Sequence, residues 1–165
     1  MQSIIRRILG DRKLPDMTDE EYDRFMHVNF PKWITEFENG GFLESTKLTP
    51  IDSEDDFIRR LHDHRLKNDM LIVKFWKHGC LPCLGMAEMY KEAERRCLRE
   101  GKNTAWYSVD TKSAPAKDLV QYSLVDGTPT IQTYFCGRIV GDEIRATTMD
   151  DLMNTIEGRL KSAKC

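Results

Sequence analysis

Nowhere does the sequence hold an apolar run approaching the roughly 20 residues needed to span a membrane. Charge of one sign is not in excess: 25 Lys and Arg oppose 27 Asp and Glu, a net of −2. That balance carries no bulk signature of nucleic-acid binding. Cysteines are few and odd in number, at positions 80, 83, 97, 136 and 165. The scatter is not that of a secreted disulfide framework, and no secretory signal peptide opens the chain, so a reducing intracellular compartment is expected. A zinc site would need two more ligands beside Cys80 and Cys83, and there is no second C-x-x-C. His62 and His64 are spaced to point to different faces of a helix. Neither a metal nor a cofactor is expected. Internal repeats and low-complexity tracts are also missing.

What is present centres on Leu71-Ile72-Val73-Lys74-Phe75-Trp76-Lys77-His78-Gly79-Cys80-Leu81-Pro82-Cys83. Its first half is an apolar, β-branched and aromatic run of strand length. Gly79 supplies a turn, and from Met86 the apolar residues Met86, Met89, Tyr90, Ala93 and Cys97 recur at helical spacing. Cys80 and Cys83 therefore fall at a helix N-terminus, where unpaired backbone N–H groups and the positive end of the dipole favour a thiolate. Pro82 suits a first helical turn, whose N–H groups lack intrahelical partners. A C-x-x-C in this setting reads as a redox dithiol, one sulfur attacking and the other resolving the mixed disulfide. His78 is a candidate tuner of Cys80, or else a solvated loop histidine. Cys97, on an apolar helix face, reads as a small hydrophobe. Cys136, in a hairpin turn, and Cys165 read as equally inert.

Around this stretch the pattern alternates. The first ten residues place Ile4, Ile5, Ile8 and Leu9 on one helical face beside Arg6 and Arg7, with no acid. That is the pattern of a mitochondrial import signal or of a short surface helix. Thr18-Asp19-Glu20-Glu21 is a capping box opening a second helix, which Pro31 is expected to interrupt and Gly40-Gly41 to end. Tyr22, Phe25, Phe30, Trp33, Phe37 and Phe42 make residues 22–42 rich in aromatics. Such an arm packs on its own domain or docks on a partner. From Lys47 a strand (47–51), a helix capped by Ser53, a strand (70–76), the dithiol helix to about Gly101 and a strand (104–109) follow. Next come a short helix with Leu119, Val120 and Tyr122 turned inward, a hairpin (130–135 and 138–144), and a helix after Thr147-Thr148. The division is a helical extension over 1–46 and an α/β domain over 47–165.

Residues 47–162 resemble thioredoxin. The element order, Phe75-Trp76 before Cys80-Leu81-Pro82-Cys83, and Thr128-Pro129-Thr130 opening the hairpin carry the likeness. It implies an α/β thioredoxin-like fold, a central mixed sheet flanked by helices, plus the mostly helical arm. It implies further that Cys80 is the nucleophile and Cys83 the buried resolving thiol. Pro129 would be cis and face them, so that Thr128 and its neighbours hold a substrate chain as an added strand. Four residues depart from the family pattern. Lys74 replaces the buried aspartate that accepts a proton from the resolving cysteine. Trp106 stands where that aspartate's lysine partner is expected. Gly79 replaces a tryptophan that offers a docking surface, and Arg145 replaces a glycine that lets substrate backbone approach.

These departures spare both thiols but alter proton transfer, docking and groove access. The expectation is a thiol–disulfide oxidoreductase, attenuated or specialised for one disulfide or dithiol protein partner. The alternative is a non-enzymatic interaction subunit of a larger, mitochondrial assembly, docked through arm 22–42.

Overall fold

The computed structural model describes residues 2–165 and begins with α1 (Gln2–Leu9), α2 (Asp19–Phe37), a kinked turn (Glu38–Phe42) with Gly41 at φ +105°, and a helical turn α3 (Leu43–Ser45). Then follow β1 (Thr49–Pro50), α4 (Glu54–Lys67), β2 (Met70–Trp76), α5 (Leu81–Arg99), β3 (Thr104–Asp110) and α6 (Lys117–Tyr122). The chain closes with β4 (Thr130–Phe135), β5 (Arg138–Ile139) and α7 (Met149–Ser162). The strands form one mixed sheet in the order β1-β3-β2-β4-β5. β2 lies parallel to β3 and antiparallel to β4, which places it at the centre.

That centrality is why β2 reads as apolar on both faces. Alternate residues of a strand point to opposite sides of the sheet. Met70 and Ile72 enter a core with Tyr90, Ala93 and Cys97 of α5 and Leu152, Met153 and Ile156 of α7. Leu71, Val73 and Phe75 enter the other, with Phe57 of α4 and Leu119 of α6. Lys74 shares the face of Met70 and Ile72 and is the one charged residue of the strand. α4 and α7 start where sequence places them: Ser53 and Thr148 each accept a backbone N–H from the first helical turn.

The arm lies on its own domain. Ile4 and Ile8 of α1, Ile34 of α2 and Phe42 are buried against Leu84 and Ala87 of α5. Phe30, Trp33 and Phe37 pack at the edge of this third core, and the Arg7 guanidinium sits over the Phe37 and Phe42 rings while pairing with Glu88 of α5. Ile8 is 1% exposed. Its replacement by alanine is therefore expected to cost about 3 kcal/mol. The check is the urea midpoint at unchanged slope, and a cost under about 1 kcal/mol would mean that α1 does not carry this packing.

Four expectations need correction. Pro31 does not interrupt α2, which runs through it to Phe37. An interior proline costs about 3 kcal/mol, but each buried side chain beyond it, Ile34 foremost, returns about 1.5–3 kcal/mol by holding that half against α1 and α5. The hairpin's second strand is only Arg138–Ile139, with one further bridge at Ile144. The chain leaves the ladder at Gly141 (φ +68°), and Arg159 of α7 donates to the carbonyls of Val140 and Asp142 instead. Tyr122 is exposed rather than inward, and Leu119 fills that side of α6. Cys136 and Cys165 are joined in a disulfide, with Cα atoms 5.5 Å apart, so they are not the inert pair their separation suggests. Cys97 is a buried free thiol whose pKa is raised by burial.

Candidate functional site

Cys80 caps α5. Its Sγ accepts the Cys83 N–H at 3.2 Å, and Pro82 follows within the first turn. Gly79 makes the approach, with φ at +72°, a left-handed value that costs a glycine nothing and most other residues dearly. Cys80 and Cys83 form a disulfide, Cα to Cα 5.2 Å, and are only 6% and 3% exposed. The Thr128–Pro129 peptide is cis. Thr128 Oγ1 donates to Cys80 Sγ at 3.4 Å, and the Thr128 carbonyl oxygen lies 3.6 Å from the same sulfur. Pro82, Met86, Thr128, Pro129 and Thr130 line an open groove beside the disulfide. Two sulfurs joined at the positive end of a helix, with Thr128 of the groove wall against one of them, constitute a dithiol–disulfide couple.

The family model for thioredoxin matches residues 50–158, about two-thirds of the chain. The chain belongs to the thioredoxin family. Its structure is similar to a poplar thioredoxin h, with TM-score 0.60 and 18% identity over 71% of this chain and 99% of that one. It is similar also to thioredoxin O1 of Arabidopsis thaliana in its oxidised state, at TM-score 0.57 and 18% identity over 69% and 98%. A third is the thioredoxin of Plasmodium falciparum, at TM-score 0.56 and 22% identity over 70% and 100%. No curated protein sequence matches. The sheet with its flanking helices is thus the thioredoxin fold, and the Cys80–Cys83 disulfide supports a thioredoxin-like redox function.

The residues that depart from the family pattern fall into different surroundings. Lys74 is 6% exposed, its ammonium 5.6 Å from the centre of the Tyr90 ring, and burial pulls its pKa down to about 8. Among the described residues no carboxylate pairs with it. Lys74 and Cys83 line one cavity of about 210 Å³, whose other walls include Trp76 and Ser108 and, from the arm side, Leu43 and Thr46. Ser108 is the β3 residue directly opposite Lys74. Trp106 lies opposite Ile72 instead and packs with Cys97 and Tyr90, and its buried indole N–H has no hydrogen-bond partner among the described residues. It is not among the walls of the Lys74 cavity.

Arg145 borders the groove beside Ile144, its side chain 81% exposed and paired with Glu143 at 3.2 Å. His78 is half in solvent; its Nδ1 lies 3.4 Å from Glu38 Oε2 and its Nε2 3.9 Å from Asp110 Oδ2. The structure therefore groups Cys80, Cys83, Thr128 and Pro129, places Lys74 behind Cys83, and leaves Trp106 outside. Sequence reasoning missed Glu38, a 3%-exposed carboxylate of the arm that accepts the Gly79 N–H at 2.8 Å. Two acids, Glu36 and Glu38, precede Gly40-Gly41, and nothing local distinguishes the second from the first.

Proposed function

We propose that this chain is a thiol–disulfide oxidoreductase in which Cys80 attacks a partner's disulfide and Cys83 resolves the mixed disulfide. In the forward step a bond forms between Cys80 Sγ and one partner sulfur while the partner's other sulfur leaves as a thiolate. The Cys83 thiolate then attacks Cys80 Sγ and releases the second partner sulfur; the partner gains two electrons and Cys80–Cys83 becomes the disulfide. The single observation that carries this reading is the Cys80–Cys83 disulfide at the α5 N-terminus, with Thr128 against the outer sulfur.

Lys74 takes the place of the missing acid in this reading. An amine with a pKa near 8 is neutral often enough at physiological pH to accept the Cys83 proton across the shared cavity. Gly79 leaves the outer sulfur without an adjacent indole, and Arg145 puts a charge at the groove's edge. Both narrow the range of partners toward one with an acidic segment beside its disulfide. The partner is a protein disulfide, the compartment a reducing one, and the basic amphipathic start of the chain makes the mitochondrion its candidate. A second reading, an interaction subunit of a larger assembly, draws on Tyr22 and Val28, which stay exposed on α2 while the arm's other aromatics pack inward.

The test is capture. Cys83→Ser leaves the mixed disulfide unresolved, so it should retain a discrete protein released by dithiothreitol, and Cys80→Ser/Cys83→Ser should retain none. Equal retention by both would remove Cys80 as nucleophile.

A further inference from the structure

Glu38 lies outside the segment that matches the thioredoxin family, yet it touches the turn that carries the nucleophile. It caps the C-terminus of α2, just before the kink at Gly40-Gly41, and is almost fully buried. One carboxylate oxygen accepts the Gly79 N–H at 2.8 Å, and the other lies 3.4 Å from His78 Nδ1. The far nitrogen of His78 is 3.9 Å from Asp110 at the end of β3. So the two residues before Cys80 are both held from the arm side.

The turn is also held by the Trp76–His78 ring contact and by the Thr111 N–H on the Trp76 carbonyl, but Gly79 itself has no side chain to pack. A Cβ added at Gly79 would meet nothing within 4 Å, so no side-chain packing at that position locks the backbone. Glycine is the residue that loses most freedom when ordered, and this one joins the centre of the sheet to the N-cap of α5. The Glu38 oxygen supplies a direct constraint on the Gly79 amide itself. Burial of Ile34 and Phe42 on either side of Glu38 fixes that oxygen in turn.

We propose that Glu38 is a positioning residue for exchange at Cys80: the arm completes the redox site by holding the Gly79 turn through this hydrogen bond. The role rests on the redox reading above. It makes the extension part of the reacting centre, since a displacement of about 1 Å in a nucleophile can cost up to about a hundredfold in rate. Gln at this position keeps an accepting oxygen and should keep the turn; Ala removes it.

The experiment compares full-length Glu38→Ala and Glu38→Gln with the unmodified protein in dithiothreitol-driven insulin reduction, alongside hydrogen exchange of the Gly79 amide. Glu38→Ala should lower kcat about tenfold at unchanged KM and speed Gly79 exchange by at least about tenfold, while Glu38→Gln stays within about twofold of the unmodified protein in both. Should Glu38→Ala fail to fold, Glu38→Asp, which withdraws the oxygens by one methylene, is expected to behave as Ala would. An unchanged kcat in Glu38→Ala overturns the proposal, as does a Glu38→Gln protein as slow as Glu38→Ala. If the unmodified protein is no faster than Cys80→Ser, the redox reading falls and takes this role with it. A defect confined to the Glu38 variants, or its absence there, judges Glu38 alone.

Discussion

Replacing Lys74 by methionine should make the protein more stable and slower at once. The stability effect follows from a buried ammonium whose pKa is drawn down from 10.5 to about 8. A folded-state value below the unfolded one means that folding disfavours the proton. Below about pH 8 the lysine is charged in both states and the fold carries the whole penalty, about 3 kcal/mol. Between about 8 and 10.5 the unfolded chain holds the extra proton, so stability rises with pH, and above that range the penalty is gone. Lys74→Met should therefore gain about 3 kcal/mol at pH 7 and almost nothing at pH 10.5, read from urea midpoints at the two pH values.

The rate effect has a separate cause. Lys74 shares a cavity with Cys83 and has no carboxylate partner among the described residues. General-base assistance is worth roughly 10²–10⁴ in rate, so insulin reduction at pH 7.5 should fall on the order of 10²-fold in Lys74→Met. A variant that is stabilised yet equally fast would show that the lysine is buried beside Cys83 without serving it. A penalty retained for no kinetic return would then need another explanation.

Most of the architecture is written in local patterns. β2 and β4 have the expected bounds of 70–76 and 130–135, because strands buried on both faces leave long β-branched and aromatic runs. Ser53, Thr148 and the Thr18 capping box announce helix starts because an N-cap is a short-range hydrogen bond. The failures are all tertiary. Pro31 breaks a helix in isolation but not one clamped by Ile34 in an apolar core. The end of β5 depends on Arg159 of α7 reaching back to Val140 and Asp142. The pairing of Cys136 with Cys165 spans 29 residues and leaves no local trace.

The site divides in the same way. Cys80, Cys83 and the cis Thr128–Pro129 peptide follow from short motifs and from the family likeness. Trp106 takes the family position of the lysine partner, and register sets it opposite Ile72 while Ser108 lies opposite Lys74. A shift of two residues keeps the face of the strand, and Trp106 is not among the walls of the Lys74 cavity. Glu38 is 41 residues from Gly79 in sequence, and only the folding of the arm onto α5 brings them together.

Cys80→Ser should abolish activity rather than reduce it. Serine keeps the N-cap acceptor and so the helix start, but its hydroxyl is no nucleophile toward sulfur at neutral pH. Cys83 cannot stand in: it is the third residue of α5 and lines the cavity behind the site with Lys74, whereas Cys80 is the sulfur that Thr128 touches beside the groove. Insulin reduction by dithiothreitol, followed as turbidity, compares the two proteins directly. The account predicts clear acceleration by the native protein and, from Cys80→Ser, no gain over dithiothreitol alone. Equal rates from both would contradict it.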